Sequence, residues 1–203
     1  RHVTLSGLHF ESAFENGGAG IRMLGNSDDI VIHDTRVSRF KDGMVLQATN
    51  GGRHNRLALF SNTLDHNAPT TGGGHSQGGY ASGTCKMKVY DNNIINNGYT
   101  RRDADATGAT TFNQGFYLQV DACEVEHFRG NHVRGNAAAG VQFRSGVKVA
   151  EQNLFSRNSS QLVIANGTLP EFQGNISLIK DNVLVVGAFA RSADDPGALP
   201  KVG

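Results

Sequence analysis

The 203-residue sequence predicts an all-β solenoid, in which short strands stack coil upon coil. Three observations carry this prediction: a repeated seven-residue phrase, a glycine-led apolar strand after it, and the lack of any sustained helical period. The phrase aligns as SNTLDHN, DNNIINN, GNHVRGN and QNLFSRN, at residues 61–67, 91–97, 130–136 and 152–158. Fixed anchors separated by roughly 20 to 50 residues are typical of solenoids, in which each repeat forms one coil.

Two columns of asparagine mark the corners of the predicted coils. The first column contains Asn62, Asn92, Asn131 and Asn153, extended by Asn182 and, less well, by Thr35. The second column, five residues later, contains Asn67, Asn97, Asn136 and Asn158. Asparagine tolerates the left-handed backbone of a sharp turn, and its amide can bond to the asparagine of the next coil. We therefore expect Asn ladders along strands stacked about 4.8 Å apart.

The glycine-led strands show alternating core and solvent positions, because successive side chains of a strand point to opposite faces. They read GIRML (20–24), GMVLQ (43–47), GGYAS (78–82), GFYLQ (115–119) and GVQFR (140–144). Residues expected to point inward are Ile21, Met44, Gly79, Phe116 and Val141, and Met23, Leu46, Ala81, Leu118 and Phe143. The outward columns are Arg22, Val45, Tyr80, Tyr117 and Gln142, and Leu24, Gln47, Ser82, Gln119 and Arg144.

Asparagine corners followed by glycine-led strands resemble the right-handed parallel β-helix of the pectate-lyase-like superfamily, over about residues 3–186. The resemblance implies a single-stranded right-handed parallel β-helix. The phrase returns six or seven times, so we expect about six to seven coils over 1–188, and the loss of the repeat beyond them predicts an irregular tail at 189–203. The chain opens with RHVTLSGLHF, already in a strand pattern. We therefore expect the β-helix to lack an N-terminal cap, with further coils upstream. This fold hosts many chemistries, so function must come from the site.

Composition and the placement of the cysteines limit which classes of partner and which cellular compartment are expected. A net charge of +1 without a basic run argues against nucleic acid, and no segment is apolar and long enough to cross a membrane. Cys85 and Cys123 occupy nearly matching places in neighbouring coils, so we expect them to be inward neighbours, either bonded or reduced. A bond would imply an oxidising compartment. We expect a secreted, periplasmic or cell-surface protein, and the oligomeric state is left open.

The patch with the most side chains suited to catalysis or binding surrounds the two outward tyrosines, Tyr80 and Tyr117. The insertions at 68–76 and 98–113 enlarge these coils and would turn a flat sheet into a groove. The candidate catalytic residues are Tyr117, Tyr80, His75 and Arg144, and the candidate substrate-binding residues are Gln77, Gln114, Gln119, Gln142, Arg101 and Arg102. Stacked aromatic and glutamine side chains also stabilise β-solenoids, so a purely structural role for the columns is the alternative.

The resemblance implies an acidic polysaccharide as substrate, because similar sites in the superfamily cleave uronic-acid polymers by β-elimination. That reaction needs a group to neutralise the carboxylate, a base for the C5 proton and an acid for the leaving oxygen. The uronate carboxylate would be neutralised by Arg144, Gln114 or protonated His75. Protons would be transferred by Tyr80, Tyr117 or neutral His75. A metal-free elimination of this kind resembles that of several alginate lyases. No cofactor is required, and calcium is left open only through Asp103 and Asp105.

Three other functions compete with the lyase. A C5 epimerase would use most of the same residues as the lyase. A glycoside hydrolase normally needs two carboxyl groups, for which Asp42, Asp65 and Asp91 are the nearest candidates, with Asp65 beside His66 as the pair of interest. A non-catalytic glycan-binding domain, or a spike or adhesin stalk, would use the tyrosines as stacking platforms.

Overall fold

The structure, a computed structural model, describes residues 2–13, 18–68, 75–98, 112–119, 125–144, 147–164 and 178–185. Every regular element within these ranges is a β-strand, and the strands are numbered in chain order. They form three sheets in which every pairing between neighbouring strands is parallel. Most strands have three to seven residues, a length that suits short faces between frequent turns.

The first sheet contains β1 (Val3–Ser6), β4 (Ser27–His33), β7 (His54–Phe60), β11 (Met87–Tyr90), β14 (Val125–Arg129), β17 (Val147–Glu151) and β20 (Leu178–Lys180), with β10 (Thr84–Cys85) also paired to β7. The second sheet contains β2 (His9–Glu11), β5 (Arg36–Ser38), β8 (Thr63–Asp65), β12 (Asn93–Ile95), β15 (His132–Arg134), β18 (Leu154–Ser156) and β21 (Val183–Val185). The third sheet contains β3 (Ala19–Leu24), β6 (Asp42–Gln47), β9 (Gly79–Ser82), β13 (Phe116–Gln119), β16 (Ala139–Phe143) and β19 (Ser160–Ile164).

The chain passes through the first, second and third sheets in turn and then begins again one strand further along each sheet. Each repeat of the sequence therefore forms one coil that pairs with the coils before and after it. This order of strands is consistent with a parallel β-helix, and it confirms the predicted all-β stack of parallel strands. Pairing with the coils on either side provides hydrogen-bond partners for the backbone groups of the inner strands, which a short strand alone does not have.

The core lies between the three sheets and consists of inward side chains stacked coil on coil. Ile32 of the first sheet, Leu64 of the second and Met44 of the third are almost completely buried and belong to one continuous apolar cluster. Phenylalanines fill its later coils, where Phe128 and Phe143 meet edge to face with ring centroids 5.4 Å apart. All the predicted inward residues of the third sheet are buried or packed against this cluster, which confirms the inward positions, whereas Ser82 and Tyr117 of the predicted outward columns are also buried.

The first corner is held by hydrogen bonds that pass from one asparagine to the next. The backbone N–H and the side-chain Nδ2 of Asn92 both donate to Oδ1 of Asn131, each over 3.0 Å. Oδ1 of Asn92 in turn accepts from the backbone N–H and Nδ2 of Asn62, and Nδ2 of Asn92 also donates to the carbonyl of Leu59. Each buried amide thus links its own coil to both neighbours. Asn67, Asn97 and Asn136 repeat the pattern at the second corner, and Asn158 ends the series by donating to Gln161 of its own coil.

The left-handed backbone conformation belongs to the residue before each corner asparagine, and not to the asparagine as predicted. Ser61, Asp91 and Gln152 precede the first-column asparagines and have φ values of 54°, 53° and 55°. Gly130 occupies the equivalent place before Asn131, with φ of 66°. The bend is completed one residue early because the asparagine side chain must point back into the solenoid to reach the adjacent coils. The asparagine itself then keeps an ordinary backbone conformation.

In four coils, the glycine at or next to the start of the third-sheet strand lies against the second asparagine corner; these are Gly43, Gly78, Gly115 and Gly140. At Gly78, an added Cβ would approach the carbonyl oxygen of Gly115 to 2.6 Å and Nδ2 of Asn97 to 2.7 Å. Both neighbours already take part in cross-coil hydrogen bonds and cannot retreat without breaking them. The recurring glycine of the sequence phrase is therefore a position where no side chain fits.

Cys85 is buried and disulfide-bonded. The other cysteine of the chain, Cys123, lies outside the described residues, as do the tail at 189–203 and most of the two insertions.

Candidate functional site

An open groove crosses the outer face of the third sheet and has a volume of about 540 Å³. Its described lining residues come from successive strands of the sheet and from the segments that lead into them. They are Gly18, Ala19, Arg22, Lys41, Asp42, Val45, Gln47, His75, Gln77, Tyr80, Phe112, Tyr117, Gln119 and Arg144. The groove thus runs across the stacked coils, where an elongated ligand would meet several of them at once.

The floor of the groove is the outward column of the third sheet. Arg22 of β3 pairs with Val45 of β6, which pairs with Tyr80 of β9, which pairs with Tyr117 of β13. Tyr117 pairs onward with Gln142 of β16, so the register is the one predicted from the sequence. Parallel strands place paired side chains about 4.8 Å apart on the same face, and this spacing brings the two tyrosines together.

The two tyrosines use their hydroxyl groups differently. Their rings lie 5.6 Å apart and are tilted by 47°. Tyr80 donates its hydroxyl proton to Oε1 of Gln119 over 2.6 Å. Tyr117 instead accepts, because Nη1 of Arg144 donates to its hydroxyl oxygen over 3.0 Å and arginine has no acceptor. The hydroxyl proton of Tyr117 is therefore directed away from Arg144. Tyr117 occupies the predicted outward column but is only 6% exposed, because neighbouring side chains cover it.

One wall of the groove is the segment 75–77, which is held between two coils. The backbone N–H of Gln77 donates to Oδ1 of Asp42 on one side, over 3.1 Å. The side chain of Gln77 donates from Nε2 to the carbonyl oxygen of Phe112 on the other side, over 2.7 Å. The ring of His75 stacks on that of Phe112 with centroids 4.3 Å apart. These contacts fix an exposed imidazole at the edge of the groove.

The described lining of the groove carries more positive than negative side chains. Arg22, Lys41 and Arg144 are cationic, and Asp42 is the one carboxyl group among the described lining residues. Burial raises the pKa of Asp42, while the N–H of Gln77 and the nearby Lys41, His75 and Arg22 pull in the opposite direction and do not cancel the effect. A concave surface with an excess of one charge attracts ligands of the opposite charge.

Six of the ten predicted site residues line the groove. They are His75, Gln77, Tyr80, Tyr117, Gln119 and Arg144. Gln114 is buried beneath the surface and donates from Nε2 to Oε1 of Gln142 over 2.5 Å, so the pair serves the packing of adjacent coils. Neither is among the lining residues. Arg101 and Arg102 lie outside the described residues.

Sequence reasoning did not select Arg22, Lys41 or Phe112 as site residues, although all three line the groove. Arg22 was detectable, because it stands in the same outward column as Tyr80. Lys41 and Phe112 precede their strands, where alternation gives no guide to direction. Only the three-dimensional path of the chain shows that they face the groove.

The other carboxyl groups considered for hydrolysis lie elsewhere. Asp65 belongs to the second sheet and forms a two-point ion pair with Arg36, whose Nε and Nη2 lie 3.0 and 2.8 Å from its oxygens. Asp91 is an exposed corner residue with φ of 53°. Within the described residues, no cluster of three or more histidine, cysteine, aspartate or glutamate side chains is arranged to hold a metal ion. Asp103 and Asp105 lie outside these residues.

Comparisons with known proteins gave no match among protein-family models, curated proteins or solved structures. The described part of the chain contains no helix with the length and apolar character needed to span a membrane. Function must therefore be inferred from the fold and from the geometry of the groove.

Proposed function

We propose that the groove binds an acidic, uronic-acid-containing polysaccharide and cleaves it by β-elimination, or inverts it at C5 in the related epimerase reaction. In this proposal the chain is a right-handed parallel β-helix of the pectate-lyase-like kind, with Asn ladders at its corners, that acts outside the cytoplasm. The observation that carries the proposal is the hydrogen bond from Arg144 to Tyr117 at the floor of a cationic groove.

Charge supports an acidic ligand. Arg22, Lys41 and Arg144 line the groove together with a single carboxyl group among its described residues. The guanidinium of Arg144 has five N–H donors and uses one on Tyr117, which leaves others for the carboxylate of a uronate ring. The ring of Tyr80 is partly exposed and adds an aromatic surface on which a sugar ring can pack, with the buried ring of Tyr117 tilted against it.

Proton transfer is the second requirement, and Tyr117 is suited to it. In the elimination a base removes the C5 proton, the electron pair forms the C4–C5 double bond, the C4–O bond breaks, and the leaving oxygen takes up a proton. The hydroxyl oxygen of Tyr117 faces a guanidinium, which stabilises negative charge on that oxygen when its proton has left. Tyr117 can accept the C5 proton in that state, and His75 at the groove edge is a second proton carrier.

A non-catalytic glycan-binding role is the second candidate. Both tyrosine hydroxyls are engaged within the protein, Tyr80 with Gln119 and Tyr117 with Arg144, and such fixed rings suit a stacking platform. Hydrolysis is less favoured, because it normally needs two carboxyl groups flanking the bond and the described lining supplies only Asp42.

The test is to incubate the protein with a panel of uronate polymers and follow the ultraviolet absorbance of the unsaturated product. We expect Tyr117→Phe to lower turnover by about a hundredfold or more while binding is retained, since one catalytic proton carrier is lost. Tyr117→Ala should weaken both. Tyr90→Phe is the matched control, because Tyr90 is a partly exposed tyrosine of the first sheet. Binding without turnover in the unaltered protein would replace the lyase with the glycan-binding role.

A further inference from the structure

Asp42 lies in the groove, and its carboxylate accepts fewer hydrogen bonds than it has acceptor sites for. Its Oδ1 accepts the backbone N–H of Gln77 over 3.1 Å. Within the described residues, that is the one hydrogen bond of this side chain, and it forms no ion pair, although Arg22, Lys41 and His75 lie close enough to influence its charge. A half-buried carboxylate with spare acceptor sites is costly unless a donor approaches it.

The position of Asp42 separates it from the tyrosine end of the groove. Asp42 begins β6, three residues before Val45, which pairs with Tyr80 and through it with Tyr117. With about 3.3 Å per residue and about 4.8 Å per coil, the Cα atoms of Asp42 and Tyr117 are roughly 14 Å apart. An extended glycan that reaches both residues would therefore present different sugar units to them.

The two ends of the groove offer opposite chemistry. Arg144 presents donors and positive charge next to Tyr117, which suits a carboxylate. Asp42 presents acceptors that suit sugar hydroxyl groups, and its negative charge opposes the positive charges of the nearby Arg22 and Lys41. A second carboxylate at this end would meet Asp42 in a partly desolvated site, so Asp42 reduces the attraction that Arg22 and Lys41 would otherwise exert on it.

We propose that Asp42 is a specificity-determining residue, which accepts hydrogen bonds from the hydroxyl groups of a neutral sugar at a subsite distinct from the uronate subsite at Tyr117 and Arg144. The substrate class that fits is a heteropolymer in which uronate alternates with neutral sugar, in preference to a polymer with a carboxylate on every ring. This inference rests on the proposed function and refines its substrate.

The test compares two probes by isothermal titration calorimetry, on a Tyr117→Phe background that limits turnover. The probes are an oligogalacturonate, with a carboxylate on every ring, and a hyaluronan oligosaccharide, in which glucuronate alternates with N-acetylglucosamine. Asp42→Asn keeps an Oδ1 acceptor for Gln77 but removes the charge. We expect it to strengthen binding of the homopolymer on the order of tenfold, because Arg22 and Lys41 then act unopposed. Binding of the alternating probe should stay unchanged or weaken.

Two controls make the outcomes separable. Asp28→Asn removes one negative charge from an exposed position on β4 of the first sheet and should leave both affinities unchanged. Far-ultraviolet circular dichroism and thermal unfolding verify that Asp42→Asn is folded. Equal effects on the two probes, or no effect on either, would overturn the role of Asp42 while leaving the groove as the binding site. If no variant and no unaltered protein binds either probe, the proposed function itself fails.

Discussion

Arg144 and Tyr117 belong to adjacent coils, and the guanidinium of the first donates to the hydroxyl oxygen of the second over 3.0 Å. Arg144 is held in place by its own backbone, whose N–H donates to the carbonyl of Leu118 over 2.8 Å. The contact is thus built on paired strands and not on the insertions. A rigid support of this kind keeps a donor and a proton carrier in fixed relation before substrate arrives.

The first prediction concerns Arg144. Arg144→Gln should lower kcat/KM by roughly tenfold to a hundredfold, because a charge-assisted hydrogen bond contributes about 1.5–3 kcal/mol. Arg144→Lys keeps the charge but not the planar fork, so it should restore binding of the acidic polymer more than turnover. Steady-state kinetics measure turnover and KM on the uronate polymer that the panel identifies as a substrate. Equal activity of all three proteins would remove Arg144 from the reaction.

The second prediction concerns the corner amides. Asn92→Ala removes the acceptor for two N–H groups of Asn62 and the donor to Leu59, and all of these groups are buried. We expect a loss of about 2–4 kcal/mol in the free energy of unfolding, measured with urea. Asn93→Ala is the matched control, since Asn93 is its exposed neighbour, and should change stability by less than about 0.5 kcal/mol. Similar losses in the two variants would contradict a structural role for the corner.

The third prediction concerns pH and His54. This imidazole is completely buried, and neither ring nitrogen forms a hydrogen bond of standard geometry with the described residues. Burial holds the pKa of His54 below its ordinary value of 6.5, and the backbone carbonyls of Gln47 and Met23 offset this only in part. The unfolded chain therefore binds a proton more readily than the folded one. The contribution of neutral His54 to the free energy of unfolding should be complete above the pKa that His54 has in the unfolded chain. It should fall as the pH drops below that pKa.

Urea unfolding at several values between about pH 8 and about pH 5 measures this slope. His54→Gln should remove part of it, whereas His2→Gln, at an exposed histidine, should leave the slope unchanged. A slope that persists unaltered in His54→Gln would show that another group is responsible.

The fourth prediction separates elimination from hydrolysis through Asp65. Burial alone would raise the pKa of Asp65, but hydrogen bonds from His66 and Arg36 outweigh it and hold the pKa below the ordinary 3.8. Its contribution to stability is therefore present above the unfolded pKa and is lost as the pH falls through the folded pKa. Asp65→Asn should reduce stability at neutral pH yet leave turnover unchanged. If Asp65→Asn abolishes turnover while Tyr117→Phe retains it, hydrolysis is the reaction.

Sequence could predict the fold because its signals are local and repeated. Each glycine-led strand carries its own alternation, so aligning them gave the observed register from Arg22 through Val45 and Tyr80 to Tyr117. The environment of single side chains could not be read in this way. The burial of Tyr117 and the bond between Gln114 and Gln142 depend on the residues that neighbouring coils bring alongside.

The same limit applies to Asp42. The sequence identified it only as one of three scattered carboxyl groups that a hydrolase could use. Its place in the groove depends on the pairing of β6 with β9, and its hydrogen bond depends on the path of residues 75–77. Alternation within one strand carries no information on such contacts between distant parts of the chain.

The corner asparagines bond mainly to the coil before and the coil after, and this has a consequence for how the molecule can change over evolution. Asn92 joins the chain near Leu59 to Asn131, and each step along the stack repeats the same joint. A coil that carries the left-handed residue, the asparagine and the glycine can be inserted or removed between two others without redesigning them, because interactions extend only to nearest neighbours. The length of the groove can thus be altered by adding or deleting whole repeats, while the side chains that each remaining coil contributes to the groove stay the same.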